Sequence, residues 1–409
     1  MNGRRTLLPC VVLLLLFIGM IQPTHSQNDE QDRFYSDALT IYSRQATHED
    51  IATLMSLQGV YEEGTTYNII IDGYGTGLRP PTVEEWNAMA SSLSIVERID
   101  LAGGMDSLPA TIDHSASIHF PPVGSQGQEG SCVAWAVGYY TKTFQEAVER
   151  GWDFSDASWT NGEPTPSYQD KIMSPDFIYH QINGGVDGGS TYNDAITLVT
   201  SVGASSWALM PYSQYDHTSW PSETAWREAP LYRGDGGFNY AYFSSVGIDS
   251  LKALLADGVL GIISIDANQY GAMTDDIWTT DTYVLSGTNH ANTVVGYDDT
   301  KAYTEGGQTK YGAFKVVNSW GPTWSGDGTY WISYNAMAQV VRYFMYYYDR
   351  IAYEPETVAV YTIDHASRRY ADIIGEQAIH PPQPSRSIMS SSATMGAITL
   401  FQPMRWCSI

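Results

Sequence analysis

Cys132 is the residue around which chemistry can be built. It follows Gly130-Ser131 and opens a run with apolar residues at Val133, Ala136, Val137, Tyr140, Phe144, Ala147 and Val148. That spacing predicts a helix, and Gly151 is a natural stop. A thiol at a helix N-terminus meets unpaired N–H groups and the positive end of the helix dipole. Both favour thiolate, the nucleophilic form. A structural cysteine buried in a core is the plain alternative, and local spacing alone leaves the two open. A nucleophilic thiolate also needs an imidazole to hold the ion pair and to protonate a leaving amine.

The flanking residues distinguish the two. Gln126-Gly127-Gln128-Glu129-Gly130-Ser131-Cys132 resembles the active-site segment of the papain-like cysteine peptidases, Gln-Gly-X-Cys-Gly-Ser-Cys. Thr288-Asn289-His290-Ala291-Asn292-Thr293-Val294-Val295-Gly296-Tyr297 is similar to that family's histidine segment, Asn-His-Ala-(apolar)-Val-Gly-Tyr. Lys315-Val316-Val317-Asn318-Ser319-Trp320-Gly321-Pro322-Thr323-Trp324 is similar to its Lys-Asn-Ser-Trp-Gly-X-X-Trp. The three stand in the family's order over about 200 residues, although the Cys–His gap of 158 exceeds the usual ~130–150.

The resemblance implies a role for each residue. Cys132 is the nucleophile and His290 its proton partner. The Asn318 amide oxygen orients the imidazole without adding charge, and Trp320 shields that hydrogen bond from water. The Gln126 side-chain amide and the Cys132 N–H are the donors for the oxyanion. Asn289 and Ala291 flank the histidine as substrate contacts. Gly188 and Gly189, in the run Gly184–Ser190, match the family's Gly-Gly loop, whose second glycine bonds substrate backbone and permits close approach. A plain glycine turn is the alternative there. The implied fold is α+β and two-lobed: a helical lobe opening at Cys132, an antiparallel β-barrel-like lobe carrying His290 and Asn318, and a cleft between them. The implied reaction is hydrolysis of peptide bonds in peptide or protein substrates through a thioester, with no metal or organic cofactor. A cysteine acyltransferase of the transglutaminase kind also uses thiol and histidine, but the Asn-Ser-Trp-Gly segment and the Gln126 spacing speak against it. A catalytically silent peptide-binding protein on the same fold is disfavoured by the complete set of four residues.

The chain departs from the family at Glu129, where many members carry a cysteine, and at Val133, where a Trp is usual and Trp135 stands two residues on. Disulfides of the family's kind are therefore not expected. Glu129 is expected to place negative charge near the site and to disfavour acidic substrate residues.

Several elements must position these residues. Buried strands are predicted at 259–265, 293–297, 313–317 and 330–334, with the loop Thr304–Gln308 between the second and third. Tyr67-Asn68-Ile69-Ile70-Ile71 reads as a strand and the glycine-rich run Gly73–Gly77 as a turn; it lacks the Lys-Ser/Thr of a phosphate loop. Thr82, with Glu85 three residues later, predicts a capped helix start. A helix first and strands later indicate segregated α+β rather than alternating units.

The whole chain has 409 residues, a net charge of −24 and six lysines. Such acidity excludes general binding to nucleic acid or anionic membrane. Three cysteines, Cys10, Cys132 and Cys407, exclude a disulfide scaffold and a cysteine-rich zinc module. Residues 1–26 carry Arg4-Arg5, the apolar run Leu7–Ile21 and Thr24-His25-Ser26, the pattern of a cleavable export signal. The run is shorter than the ~20 residues that a spanning helix needs. The expected organisation is a signal at 1–26, a propeptide or N-terminal subdomain at 27–106, a catalytic unit at 107–353 and a tail at 354–409. The tail is either a truncated β segment or disordered. The expected product is a secreted monomer, off the membrane after signal cleavage, with its own N-terminal segment as inhibitor.

Overall fold

The computed structural model describes residues 38–355 and the backbone of 15–16 and 375–376. Nearly all of the expected export signal and of the tail, with Cys10 and Cys407, lies outside the described residues. Leu15–Leu16 and Gly375–Glu376 form a two-residue parallel pair.

Within 38–355, apolar runs become neighbouring strands. They are β1 (Leu39–Gln45), β2 (Leu93–Leu101), β3 (Thr111–Asp113), β4 (Gly234–Tyr242), β5 (Gly261–Ile265), β6 (Ile277–Trp278), β7 (His290–Glu305), β8 (Gln308–Val317), β9 (Thr329–Ser333) and β10 (Tyr343–Asp349). They form one ten-stranded sheet in the order β1-β2-β4-β10-β5-β7-β8-β9-β6, with β3 beside β7. Only the β2–β4 and β9–β6 pairings are parallel. The four expected strands all lie in its centre and far half. Every residue of β5 is buried, as expected of a short apolar run covered on both faces. The β7–β8 hairpin turns at Gly306-Gly307, both with positive φ, as a tight two-residue connection requires.

Helices α1 (His48–Gln58) and α2 (Val83–Met89) begin with capping boxes, Thr47 with Asp50 and Thr82 with Glu85. Helix α3 runs over 132–150, as α-helix at Cys132–Ala134, π-helix at Trp135–Lys142 and α-helix again at Thr143–Arg150. Gly151 closes it with φ of 64°, the left-handed conformation that glycine adopts without strain. Helices α4 (Pro175–Ile182) and α5 (Tyr192–Ser201) follow, capped by Ser174 and Thr191. Thus helices gather in the first half of residues 107–353 and strands in the second, an α+β arrangement.

One core joins them. Trp135, Tyr139, Tyr140 and Phe144 of α3 cluster with Val294, Val295, Phe314, Val316 and Val317 of the sheet. Trp135 makes edge contacts with Trp159, Trp207 and Tyr212. Such aromatic pairs add about 0.5–1.5 kcal/mol each beyond burial. Among the described residues Cys132 is free, so packing rather than cross-linking holds this region.

Tyr67–Ile71 does not form the expected strand. Thr76 captures it locally: the Ile69 N–H donates to Thr76 Oγ1 at 3.0 Å, and Thr76 Oγ1 donates to the Tyr67 carbonyl at 3.2 Å. Side-chain bonds of this kind compete with a ladder. Residues 38–101 do supply β1 and β2. Leu93–Val96 pair with Phe238–Ala241, and Val96 and Ile99 enter the main core.

Candidate active site

Cys132 stands at the head of α3, and its residue is fully buried. Across from it, His290 is the first residue of β7 and Asn318 follows β8. Antiparallel pairing of these strands, Thr293 with Val317 and Val294 with Val316, brings the two side chains together. His290 Nε2 lies 2.8 Å from Asn318 Oδ1. That oxygen also accepts from Asn292 Nδ2 at 3.0 Å and from the Ser319 N–H at 2.8 Å. Surrounded by donors, it must accept, so Nε2 carries the hydrogen in that bond. The Nδ1 atom of His290 is buried with no hydrogen-bond partner.

Asn292 was not legible as a site residue. It lies two positions after His290, on the same strand face, and that alternation was the available signal. Tyr270 and Tyr330 hydroxyls donate to Asn292 Oδ1 at 2.6 and 3.0 Å, which turns its amide nitrogen toward Asn318. Trp320 lies over the imidazole, with ring centroids 5.1 Å apart.

Burial pushes the Cys132 thiol up to about 12, against the pull of the Ala291 and Val133 backbone groups. Burial likewise draws His290 down to about 4, although the Asn318 bond acts in the opposite sense. Both shifts favour the neutral thiol and neutral imidazole.

The group that buries them is residues 74–79. The Tyr74 ring stacks on Trp320 at 5.3 Å. The Gly75 carbonyl accepts from Trp320 Nε1 at 3.0 Å, and the Gly75 N–H donates to the Gly127 carbonyl at 2.7 Å. The Thr76 carbonyl accepts from Gln126 Nε2 at 3.0 Å and from the Cys132 N–H at 3.5 Å. The Leu78 N–H donates to the Asn289 carbonyl at 3.0 Å. The Gly77 carbonyl accepts from the Ser190 N–H at 2.9 Å, and the Arg79 N–H donates to the Ser190 carbonyl at 3.0 Å. The expected turn forms at Ile71–Tyr74, which exchange both backbone hydrogen bonds, and the glycine-rich run then continues as a strap across the site. It needs glycine at Gly77, where φ is +111° and a Cβ would lie 2.0 Å from the Gly130 carbonyl oxygen.

The structure brings Gln126, Cys132, Asn289, His290, Ala291, Asn318 and Trp320 to this one place. At the glycine loop, the backbone pairing falls to Ser190 rather than Gly189. The Gly189 N–H instead donates to the Tyr179 hydroxyl at 3.2 Å. Gly189 is required for clearance, because a Cβ there would lie 2.3 Å from the Gly77 carbonyl oxygen. Gly188 bonds back to the Val186 carbonyl and does not touch the strap. Gln126 is held from three sides: Nε2 also donates to the Glu129 carbonyl at 2.7 Å, Oε1 accepts from Ser319 Oγ at 2.5 Å, and its carbonyl accepts from Tyr212.

The expectation for Glu129 is overturned. Its side chain is fully buried and faces Asp176 and His180 rather than the cleft. Burial, then the Asp176 charge, push its carboxyl up to about 10. It cannot repel acidic substrate residues from there.

No family model matches the chain, and no curated protein matches it. Solved structures give likenesses. Xylellain, a cysteine protease from Xylella fastidiosa, is 22% identical over 60% of this chain and 87% of that one, with a TM-score of 0.44. Digestive procathepsin L2 from Tenebrio molitor larval midgut is 22% identical over 59% of this chain and 68% of its own, with a TM-score of 0.45. Recombinant stem bromelain precursor is 18% identical over 60% and 72%, with a TM-score of 0.39. At these scores the likenesses do not decide what the site does; its own geometry has to. Among the described residues no helix is long and apolar enough to cross a membrane.

Proposed function

We propose that this chain is an exported papain-like cysteine peptidase held latent by its own residues 74–79. The observation that carries the reading is the placement of a peptide carbonyl, that of Thr76, on the two donors that an oxyanion would use.

With the strap removed, a substrate carbonyl takes the place of Thr76. The Cys132 sulfur bonds to its carbon, and the carbonyl electrons move to an oxyanion held by Gln126 Nε2 and the Cys132 N–H. His290, keyed by Asn318, gives a proton to the leaving amine as the C–N bond breaks. Water then attacks the thioester, His290 takes its proton, and the thiolate leaves. Solvent reaching the opened cleft relieves the burial that keeps the thiol and imidazole neutral, so the ion pair forms with the strap absent.

The deciding experiment compares hydrolysis of a generic peptide by the whole chain, by protein processed after residue 106, and by the processed Cys132→Ala variant. The processed wild type is expected to be the active species. Undiminished hydrolysis by Cys132→Ala would end the peptidase reading. Active protein whose N-terminal sequence begins at Gln27 would end the latency reading alone.

A further inference from the structure

We propose that Glu129, Asp176 and His180 form a binding site for one divalent cation of the zinc class, beneath the loop that carries Gln126. The claim concerns metal binding and does not rest on the peptidase reading.

The three side chains are 0–2% exposed. His180 Nε2 lies 3.4 Å from Asp176 Oδ1, a long contact, and 3.9 Å from Glu129 Oε1, beyond hydrogen-bond reach. All three donor atoms fall within 4.8 Å of one another. A tetrahedral ion with bonds of ~2.0–2.1 Å sets its ligands about 3.3–3.4 Å apart. The His–Asp separation matches that edge, and the His–Glu separation closes with a shift of a few tenths of an ångström.

Hydrogen bonding aims the donors inward. His180 Nδ1 lies 2.6 Å from the Ser219 carbonyl oxygen. A carbonyl only accepts, so Nδ1 carries the hydrogen and Nε2 is the ring atom aimed at the two carboxyl groups; Asp176 favours a proton there in the metal-free site, which a bound cation would displace. Metal-bound histidines are fixed in this same way by a carbonyl behind the ring. Asp176 Oδ2 accepts from the Ser213 N–H at 2.9 Å, which leaves Oδ1 facing His180. Neither oxygen of Glu129, nor Asp176 Oδ1, nor His180 Nε2 has a hydrogen-bond partner. The Ser131 and Tyr212 hydroxyls flank Glu129 but bond each other at 2.8 Å, and Tyr212 donates onward to the Gln126 carbonyl.

Charge argues the same way. Asp187 and Asp216 stand close by, and among the described residues no lysine or arginine pairs with any of these four acids. Glu129 is the costly one, a buried carboxyl with neither oxygen hydrogen-bonded, whereas Asp176, Asp187 and Asp216 each accept hydrogen bonds. One imidazole with two carboxylates suits zinc and its neighbours better than calcium or magnesium, which prefer all-oxygen sites. A cation here would pin the Gln126–Cys132 loop to α4, because the Glu129 carbonyl is itself a partner of Gln126 Nε2.

The test uses the full chain without a histidine tag, in a Cys132→Ala background that removes the catalytic thiol as a competing ligand. Chelator-treated protein is titrated with Zn2+ at neutral pH, and bound metal and melting temperature are read. One Zn2+ per chain and a raised melting temperature are expected. His180→Gln and Glu129→Gln, each added to that background, are expected to weaken binding by at least about tenfold. Absence of saturable Zn2+ binding by the folded Cys132→Ala protein overturns the proposal, as does full binding by both folded double variants. Should those variants not fold, Co2+ added to the Cys132→Ala protein decides. Strong tetrahedral d–d bands support the site, and only the spectrum of aqueous cobalt refutes it.

Discussion

Helix α3 has an acidic cluster at each end, and the two are neutralised differently. Toward its C-terminus, Lys142 Nζ lies 2.7 Å from Glu146 Oε1 and also pairs with Asp349, while Arg150 Nε reaches Glu146 Oε2 at 2.6 Å. Toward its N-terminus, Glu129 and Asp176 face a single histidine at 3.9 and 3.4 Å. The first cluster is closed by residues of its own neighbourhood, as a scaffold requires. The second lies under the loop that carries Gln126 and Cys132, and there the protein leaves polar groups unsatisfied. The same contrast holds for backbone groups. The first N–H of α3, that of Cys132, is met by the Thr76 carbonyl of the strap, whereas the C-terminal end is closed by its own Gly151 cap.

The contrast can be broken first at the scaffold end. Lys142→Met leaves two buried acids without their shared cation and is expected to cost about 3–5 kcal/mol of stability, read as a fall in denaturant midpoint. The activity of the molecules that stay folded should change far less. At the other end, Gln126→Ala in protein processed after residue 106 removes the donor that the proposed mechanism assigns to the oxyanion. It is expected to lower kcat about 10²–10³-fold, equivalent to ~2.7–4 kcal/mol, with KM much less affected. A smaller effect follows from Gly77→Ala in the unprocessed chain. Strain of ~1–3 kcal/mol at the strap should raise the proposed activity of that form by about 5–150-fold, while protein processed after residue 106, which lacks residue 77, is untouched.

The finest distinction is in pH. In chelator-treated protein, Glu129 has its carboxyl raised by burial and by Asp176 from 4.5 to about 10. Over that window the native state holds a proton that the unfolded state has lost. Stability therefore falls as pH rises, by at most about 1.4 kcal/mol per unit. Glu129→Gln should remove this part of the slope, whereas a Lys142 variant should keep it. A stability difference between metal-free wild type and Glu129→Gln that stays constant from about pH 5 to about 9 would contradict the raised carboxyl.

Much of the site was legible because its parts are local. Cys132 announces itself by the helix behind it, and His290 and Asn318 by the strands they adjoin. The strands themselves show as apolar runs because they are covered on both faces. What was not legible depends on distant partners. Gly73–Gly77 reads as a turn and nothing more until Gln126, Ser190 and Asn289 are seen to bond it. Tyr67–Ile71 has strand composition, but Thr76 satisfies its backbone before any strand can. Glu129 looks like surface charge in a polar loop; only the arrival of α4 puts it in the dark. Ser190 takes the pairing expected of Gly189 because the Gly189 N–H is spent on the Tyr179 hydroxyl.

The strap is anchored on both sides. Upstream, Asn68 Nδ2 donates to the Gln128 carbonyl at 3.0 Å and to Asp187 at 2.7 Å. Downstream, the chain passes through α2 into β2, a strand of the main sheet. A segment tied at both ends meets its site at an effective concentration in the millimolar range or above, whatever the concentration of the protein. Dilution should therefore not wake the unprocessed chain. A peptide offered from solution has to outcompete a neighbour that cannot diffuse away, and cutting one tether changes that contest more than adding substrate does.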